Sequence, residues 1–324
     1  MRIVQCVPNI SEGRDLEKIE NIVAPLKDQP GFTCVSVEPD PNYNRTVITL
    51  LGDPEMMIVP LINFFERAKH SIDMNHQKGE HPRMGAVDVT PFIPISGVSM
   101  DECVEYAKSL ADHVSFMFQI PVYLYAKAAT KPERVSLPEI RKGEFEGMKD
   151  KIKDPLWLPD YGPQAIHPTF GVTAIGARMP LIAYNIDLNT TDEKIASFIA
   201  KAIRQSSGGF QHIQAGPAVL EDKGLVQVTM NILDYKKNPI YRILETVKME
   251  AKRYHVAVLS SEVVGLIPKD AILDSLKYYM LVSDQSFDKT MSLSDLVLQA
   301  KTRLLFRDFD EKKIIEAHVS RGDE

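Results

Sequence analysis

The chain has 324 residues, 44% hydrophobic and 25% charged, the balance of a soluble globular protein with enough apolar sequence for two domains or one two-lobed unit. Its formal charge of -6 argues against a nucleic-acid binder but leaves room for a local basic site for a small anionic ligand, so the expected partner is a metabolite. The opening MRIVQCVPNISEG lacks the apolar core of a signal peptide, and no stretch approaches about 18 consecutive apolar residues, so a cytoplasmic protein without a membrane partner is expected.

In chain order, Arg2 to Val7 reads as a short strand, followed by a turn through Pro8, Asn9 and Gly13 and an amphipathic helix from Leu16 to Lys27 with Ile19, Ile22, Val23 and Leu26 at helical spacing. Thr33 to Glu38 and Thr46 to Leu51 read as strands around the polar loop PDPNYNR, and Glu55 to Ile72 as a helix. The stretch GEHPRMGAVDVTPFIP begins at Gly79. Pro82 biases His81 toward an extended backbone, Gly85 permits a tight bend, and Ala86 to Ile95 supplies an apolar strand to anchor the loop. A helix bearing Cys103, Val104, Ala107, Leu110 and Ala111 on one face and a strand from Val122 to Tyr125 complete the first lobe.

From about Ser136 to Phe170 the periodicity weakens into a long connector containing Trp157, Tyr161 and Phe170. A second passage then offers the apolar run Leu181 to Ile186 and a helix from Asp192 to Gln205. Strands Ile213 to Leu220 and Leu225 to Ile232 follow, joined through Asp222, Lys223 and Gly224, then a helix from Pro239 to Tyr254 and a strand from Val256 to Leu259. The order β-α-β-β-α-β repeats that of the first lobe, and strands alternating with helices imply α/β layers. The tail from Ser292 is helical and then charged.

His81 is the leading candidate for chemistry, because an imidazole on a shaped loop exchanges protons near neutrality; the plainer alternative is a histidine that satisfies a loop carbonyl. Glu80, Arg83 and Asp88 surround it in sequence, so a carboxylate could orient the ring or raise its pKa, and Arg83 could bind an anion. Arg45, at a loop-to-strand junction, faces either a cleft or solvent. The HPxxG pattern occurs as HPRMG at His81 and again as HPTFG at His167, but two distant histidines without clustered cysteines give no metal-ligand spacing. Cys6, Cys34 and Cys103 are odd in number and form no C-x-x-C pair, so they read as reduced. The glycines match neither a dinucleotide fingerprint nor a phosphate loop, and no metal or nucleotide is expected.

CVPNISEG from Cys6, NRTV from Asn44, GEHPRMGAVDVTPFIP from Gly79, MDECV from Met100, PVYLY from Pro121, PDYGPQAIHPTFGVTAIGAR in the connector and VVGLIP at Val263 resemble the glutamate formimidoyltransferase family. In animals the same unit forms the amino-terminal part of a bifunctional formimidoyltransferase-cyclodeaminase. The resemblance implies transfer of a formimidoyl group from N-formimidoyl-L-glutamate to tetrahydrofolate as cosubstrate, giving glutamate and 5-formimidoyltetrahydrofolate in histidine degradation and one-carbon metabolism. The implied fold is α/β of the α+β type, with two lobes, 1–178 and 179–324. Each would be a mixed sheet with helices outside, the sheets facing each other across a folate channel.

Carried over by motif, His81 matches the catalytic histidine, and Glu38, the second catalytic candidate, falls where an aspartate that supports catalysis is expected in the animal enzymes. Gly162, Pro163, Gln164, Ala165, Ile166, His167, Pro168, Thr169, Phe170 and Gly171 match the folate-binding segment. Arg45 and Arg83 are the substrate-binding candidates. A homodimer is expected, and no cyclodeaminase unit. A formyl donor in place of the formimidoyl donor, or a non-catalytic folate binder, are the alternative readings.

Overall fold

The computed structural model describes residues 2–220 and 223–318. The chain divides into two compact units, Met1–Arg178 and Met179–Glu324, each with apolar cores drawn from its own residues. No helix among the described residues is long and apolar enough to cross a membrane.

The first unit runs β1 (Ile3–Cys6), β2 (Asn9–Ile10), α1 (Leu16–Val23), β3 (Phe32–Asp40), β4 (Arg45–Gly52), α2 (Pro54–Ser71), β5 (Val87–Ser96), α3 (Met100–Phe118), β6 (Val122–Ala126), α4 (Leu137–Arg141), α5 (Glu144–Lys151) and β7 (Thr173–Ala177). Local signals set the helix starts. Asp15 and Asp53 accept from the first-turn amides of α1 and α2, and Ser99 with Glu102 forms a reciprocal capping box on α3. These helices bury Ile19, Ile22, Leu61, Phe65, Leu110 and Val114 against the sheet. Each such side chain contributes roughly 1.5–3 kcal/mol on full burial.

The seven-stranded sheet has the order β1-β4-β2-β5-β7-β6, with β3 added on β4. It is mixed: β7 lies parallel to both β5 and β6, and the other pairings are antiparallel. α3 supplies the crossover between β5 and β6. Four elements of this unit depart from the sequence reading. The expected turn at Asn9 is a short strand, and the far end of the connector is β7. The sequence TAIGA has no alternation to betray it, because the strand is buried along its whole length. The middle of the connector likewise holds α4 and α5.

The second unit comprises β8 (Ile182–Leu188), α6 (Glu193–Ile203), β9 (Ile213–Leu220), β10 (Leu225–Ile232), α7 (Ile240–Lys252), β11 (Val258–Val264), α8 (Lys269–Val282) and α9 (Leu293–Arg303). Its sheet, β11-β8-β10-β9, is antiparallel throughout, which corrects the expectation of a mixed sheet in each lobe. The short link between β9 and β10 permits only a hairpin, and its Asp222 lies outside the described residues. The strand expected at Val256 begins two residues later and continues into VVGLIP, and Pro268 then caps the unforeseen α8.

Candidate functional site

The site is built on the hairpin of β3 and β4. Asp40 opposes Arg45 in register, and its Oδ1 accepts from the amides of Asn42 (2.9 Å) and Tyr43 (3.0 Å), which closes the turn. Asn44 adopts a left-handed backbone with φ of 49°, which asparagine tolerates better than most residues. Its side chain accepts from the Gly13 amide (2.9 Å) and donates to the Lys78 carbonyl (2.9 Å), while Gln77 donates to the Asn44 carbonyl (3.0 Å). The CVPNISEG turn, the NRTV start of β4 and the loop before His81 are thereby tied together.

This clamp brings Arg45 and His81 into contact: Nη1 of Arg45 donates to Nε2 of His81 at 2.7 Å. The Tyr43 ring stands edge-on to the imidazole at 6.0 Å and lies under the Arg45 guanidinium at 5.7 Å. Burial, reinforced by the positive charges of Arg45 and Arg141, pushes the His81 pKa down to about 4, against a weaker opposing bond to the Pro82 carbonyl. The ring is therefore neutral at pH 7, with its Nε2 lone pair covered by a cation. The sequence suggested a carboxylate beside His81 and an upward shift; the structure places a guanidinium there and a downward one.

Asp88, on β5, instead accepts from the Met84 amide (2.9 Å) with Oδ1 and binds Arg141 with Oδ2, through Nε at 2.8 Å and through Nη2. Burial and the nearby Arg141 hold Arg45 below the usual arginine range. Its Nε is buried and has no hydrogen-bond partner. Arg83 is differently disposed. It is buried, and its guanidinium is engaged by Gln77 (2.7 Å), Glu144 (2.6 Å) and Glu146 (2.8 and 2.9 Å), so it locks the start of α5 to the His81 loop. Glu38 is exposed on β3 opposite Val47; strand alternation puts it on the same sheet face as Asp40 and Arg45.

The connector segment Gly162 to Gly171 meets the His81 loop at its far end. Gly171 pairs with Gly85, the Ala86 amide donates to the Phe170 carbonyl (2.8 Å), and the Val172 amide donates to the Met84 carbonyl (3.0 Å). The two HPxxG copies are thus joined at their glycines, and both positions require glycine. A Cβ on Gly85 would lie 1.9 Å from the Val172 carbonyl, and one on Gly171, whose φ is +85°, would lie 2.2 Å from that of Met84.

His167 exchanges backbone hydrogen bonds with Gly171, and its Nδ1 accepts from the Phe170 amide (3.0 Å). Phe170 is buried against Phe65 of α2. Between these fixed points Gly162, Gln164, Ala165 and Pro168 are exposed, and Pro163, Ile166 and Thr169 are half-buried. No group of histidines, cysteines and carboxylates among the described residues could hold a metal ion, and Cys6, Cys34 and Cys103 are free thiols. Sequence reading missed Arg141, because a charged residue in an aperiodic stretch gives no signal of what it will face. It missed the clamping role of Asn44 and Gln77 for the same reason, although an asparagine at a hairpin tip is a recognisable turn cue.

The formiminotransferase domain, N-terminal subdomain, matches residues 3–178, and the formiminotransferase domain matches residues 183–319. A glutamate formimidoyltransferase of Streptococcus pyogenes serotype M1 is 46% identical over 89% of this chain and 96% of its own length. One of Thermoplasma acidophilum is 43% identical over 86% and 93%. The formimidoyltransferase-cyclodeaminase of Rattus norvegicus is 41% identical over 86% of this chain but only 52% of its own length. On these matches, spread across both compact units, the chain belongs to the formiminotransferase domain family.

Proposed function

We propose that His81 is the proton carrier of a glutamate formimidoyltransferase, a one-carbon transferase acting between N-formimidoyl-L-glutamate and tetrahydrofolate. N5 of the folate attacks the formimidoyl carbon. As the N5–C bond forms, the N5 proton passes to Nε2 of His81; as the bond from that carbon to the glutamate nitrogen breaks, the same proton passes to the departing nitrogen. The protonation state of the enzyme is restored. The observation that carries this role is the 2.7 Å contact of Arg45 Nη1 with Nε2 of His81: a guanidinium can only donate, so Nε2 holds the lone pair that a base needs before it can accept.

The segment Gly162 to Gly171 is proposed to contact folate, a reading supported by the family resemblance and by its junction with the His81 loop at Gly85. A folate channel and a homodimer belong to the same proposal and rest on the resemblance. Glu38 is proposed as a support for the cationic pocket, on the strength of its shared sheet face with Arg45.

The test is steady-state kinetics with purified protein, tetrahydrofolate and either the formimidoyl or the formyl donor. His81→Ala is expected to lower kcat on the order of 100- to 10,000-fold while leaving folate binding in place. Near-normal turnover would remove His81 from the mechanism, and turnover with the formyl donor alone would replace the substrate.

A further inference from the structure

We propose that Arg45 has two working positions: it covers Nε2 of His81 in the free protein, and it moves its hydrogen bonds to the α-carboxylate of the one-carbon donor when that substrate arrives, so that the imidazole is uncovered only in the loaded site. This rests on the reading of His81 as the proton carrier and adds the trigger for it.

The resting arrangement is short of negative charge. Two guanidinium groups, Arg45 and Arg141, face His81, and the carboxylate of Asp88 is already taken by Arg141 and the Met84 amide. Asp40, the register partner of Arg45, spends its Oδ1 on the turn amides. No ion pair joins Arg45 to a carboxylate among the described residues, and its buried Nε–H donates to nothing. A buried donor left without a partner is costly, so a ligand oxygen that reaches it is favoured. The fork that a carboxylate fills in bidentate fashion is the edge of Nε and Nη2, and because Nε is closed off in the resting position the guanidinium must turn to present that edge, which takes Nη1 off His81.

Distance selects which carboxylate. Nη1 of Arg45 lies 2.7 Å from the atom that must hand a proton to the departing nitrogen. The anion that Arg45 grips must therefore be joined closely to that nitrogen, and the α-carboxylate of glutamate is attached to it through a single carbon. The carboxylates of the folate tail lie beyond an aromatic ring from N5 and cannot reach the same point. Withdrawal of Arg45 both frees the lone pair and pairs off one of the two charges that disfavour protonation of the ring.

The experiment compares N-formimidoyl-L-glutamate with N-formimidoyl-4-aminobutyrate, which lacks the α-carboxylate, and follows His81 by nitrogen NMR on addition of L-glutamate. Wild-type protein is expected to prefer the full donor on the order of 100-fold in kcat/KM, and Arg45→Gln to lose that preference while keeping its folate KM. L-Glutamate should shift the His81 Nε2 resonance in wild type, and tetrahydropteroate, folate without its glutamyl tail, should remain a competent acceptor. A preference that persists in Arg45→Gln, an Nε2 resonance unmoved by bound glutamate, or loss of the α-carboxylate preference with tetrahydropteroate would overturn the proposal. The wild-type arms hold even where the variant folds poorly. Failure of the proton-carrier reading is separate: it appears as turnover retained in His81→Ala, a protein in which glutamate binding through Arg45 is still measurable by calorimetry.

Discussion

His81 stands between burial and two guanidinium groups, and both act against its protonation, in the order burial first and charge second. The resting protein should therefore show a His81 titration near pH 4 rather than near the ordinary value of about 6.5. Removing Arg45 should move that titration upward, but only part of the way, because burial remains. An NMR titration centred near 6.5 in wild type would mean that Arg45 does not rest on the ring. The same shift has a sign in stability. Between pH 6.5 and about 4 the unfolded chain holds a proton on this residue that the folded chain does not, so stability falls as pH drops through that window. Denaturant midpoints of His81→Gln should decline less steeply over the same range.

At the scale of elements, the Gly85–Gly171 junction makes the His81 loop and the candidate folate segment one construction. Gly85→Ala or Gly171→Leu would drive a side chain into a backbone carbonyl, so either should destabilise the whole first unit and report on folding rather than on folate alone. His167→Ala is the cleaner probe. It removes the acceptor for the Phe170 amide yet leaves Phe170 in its buried seat, and is expected to raise the folate KM with kcat little changed, the reverse of His81→Ala. Equal loss of kcat in both variants would contradict the division of roles. Most of this frame was legible in the chain: a Pro/Gly-shaped loop ahead of an apolar strand marks a position for a functional histidine, and NRTV at a loop-to-strand junction marks Arg45. Their contact was not legible, because it depends on Asn44 bonding to two segments distant in sequence. The sequence treated Arg83 and Arg45 as equivalent cations, and only the tertiary pairing with Glu144 and Glu146 separates them. β7 escaped notice because a strand buried on both sides needs no alternation, and glycine and alanine carry little strand preference.

Across the whole molecule, the separate membership of the cores has a measurable consequence. The His81 cluster, the candidate folate segment and the single tryptophan, Trp157, all lie in Met1–Arg178. Trp157 is half-buried, with Lys151 Nζ 3.8 Å above its ring and its carbonyl accepting from the Tyr123 hydroxyl at 2.6 Å, so its fluorescence reports the packing of the first unit. Circular dichroism reports the helices of both. Because no core cluster among the described residues draws on both units, urea should yield a fluorescence transition that does not coincide with the dichroism transition, the departure from two-state behaviour expected of separately cored units. L-Glutamate, binding only the folded form, should raise the fluorescence midpoint and leave the remaining dichroism transition in place. In Arg45→Gln the glutamate effect on the fluorescence midpoint should vanish. Coincident transitions in the absence of ligand would show that the two cores unfold as one cooperative body, and a glutamate shift confined to the dichroism signal would place the amino-acid site in the second unit instead.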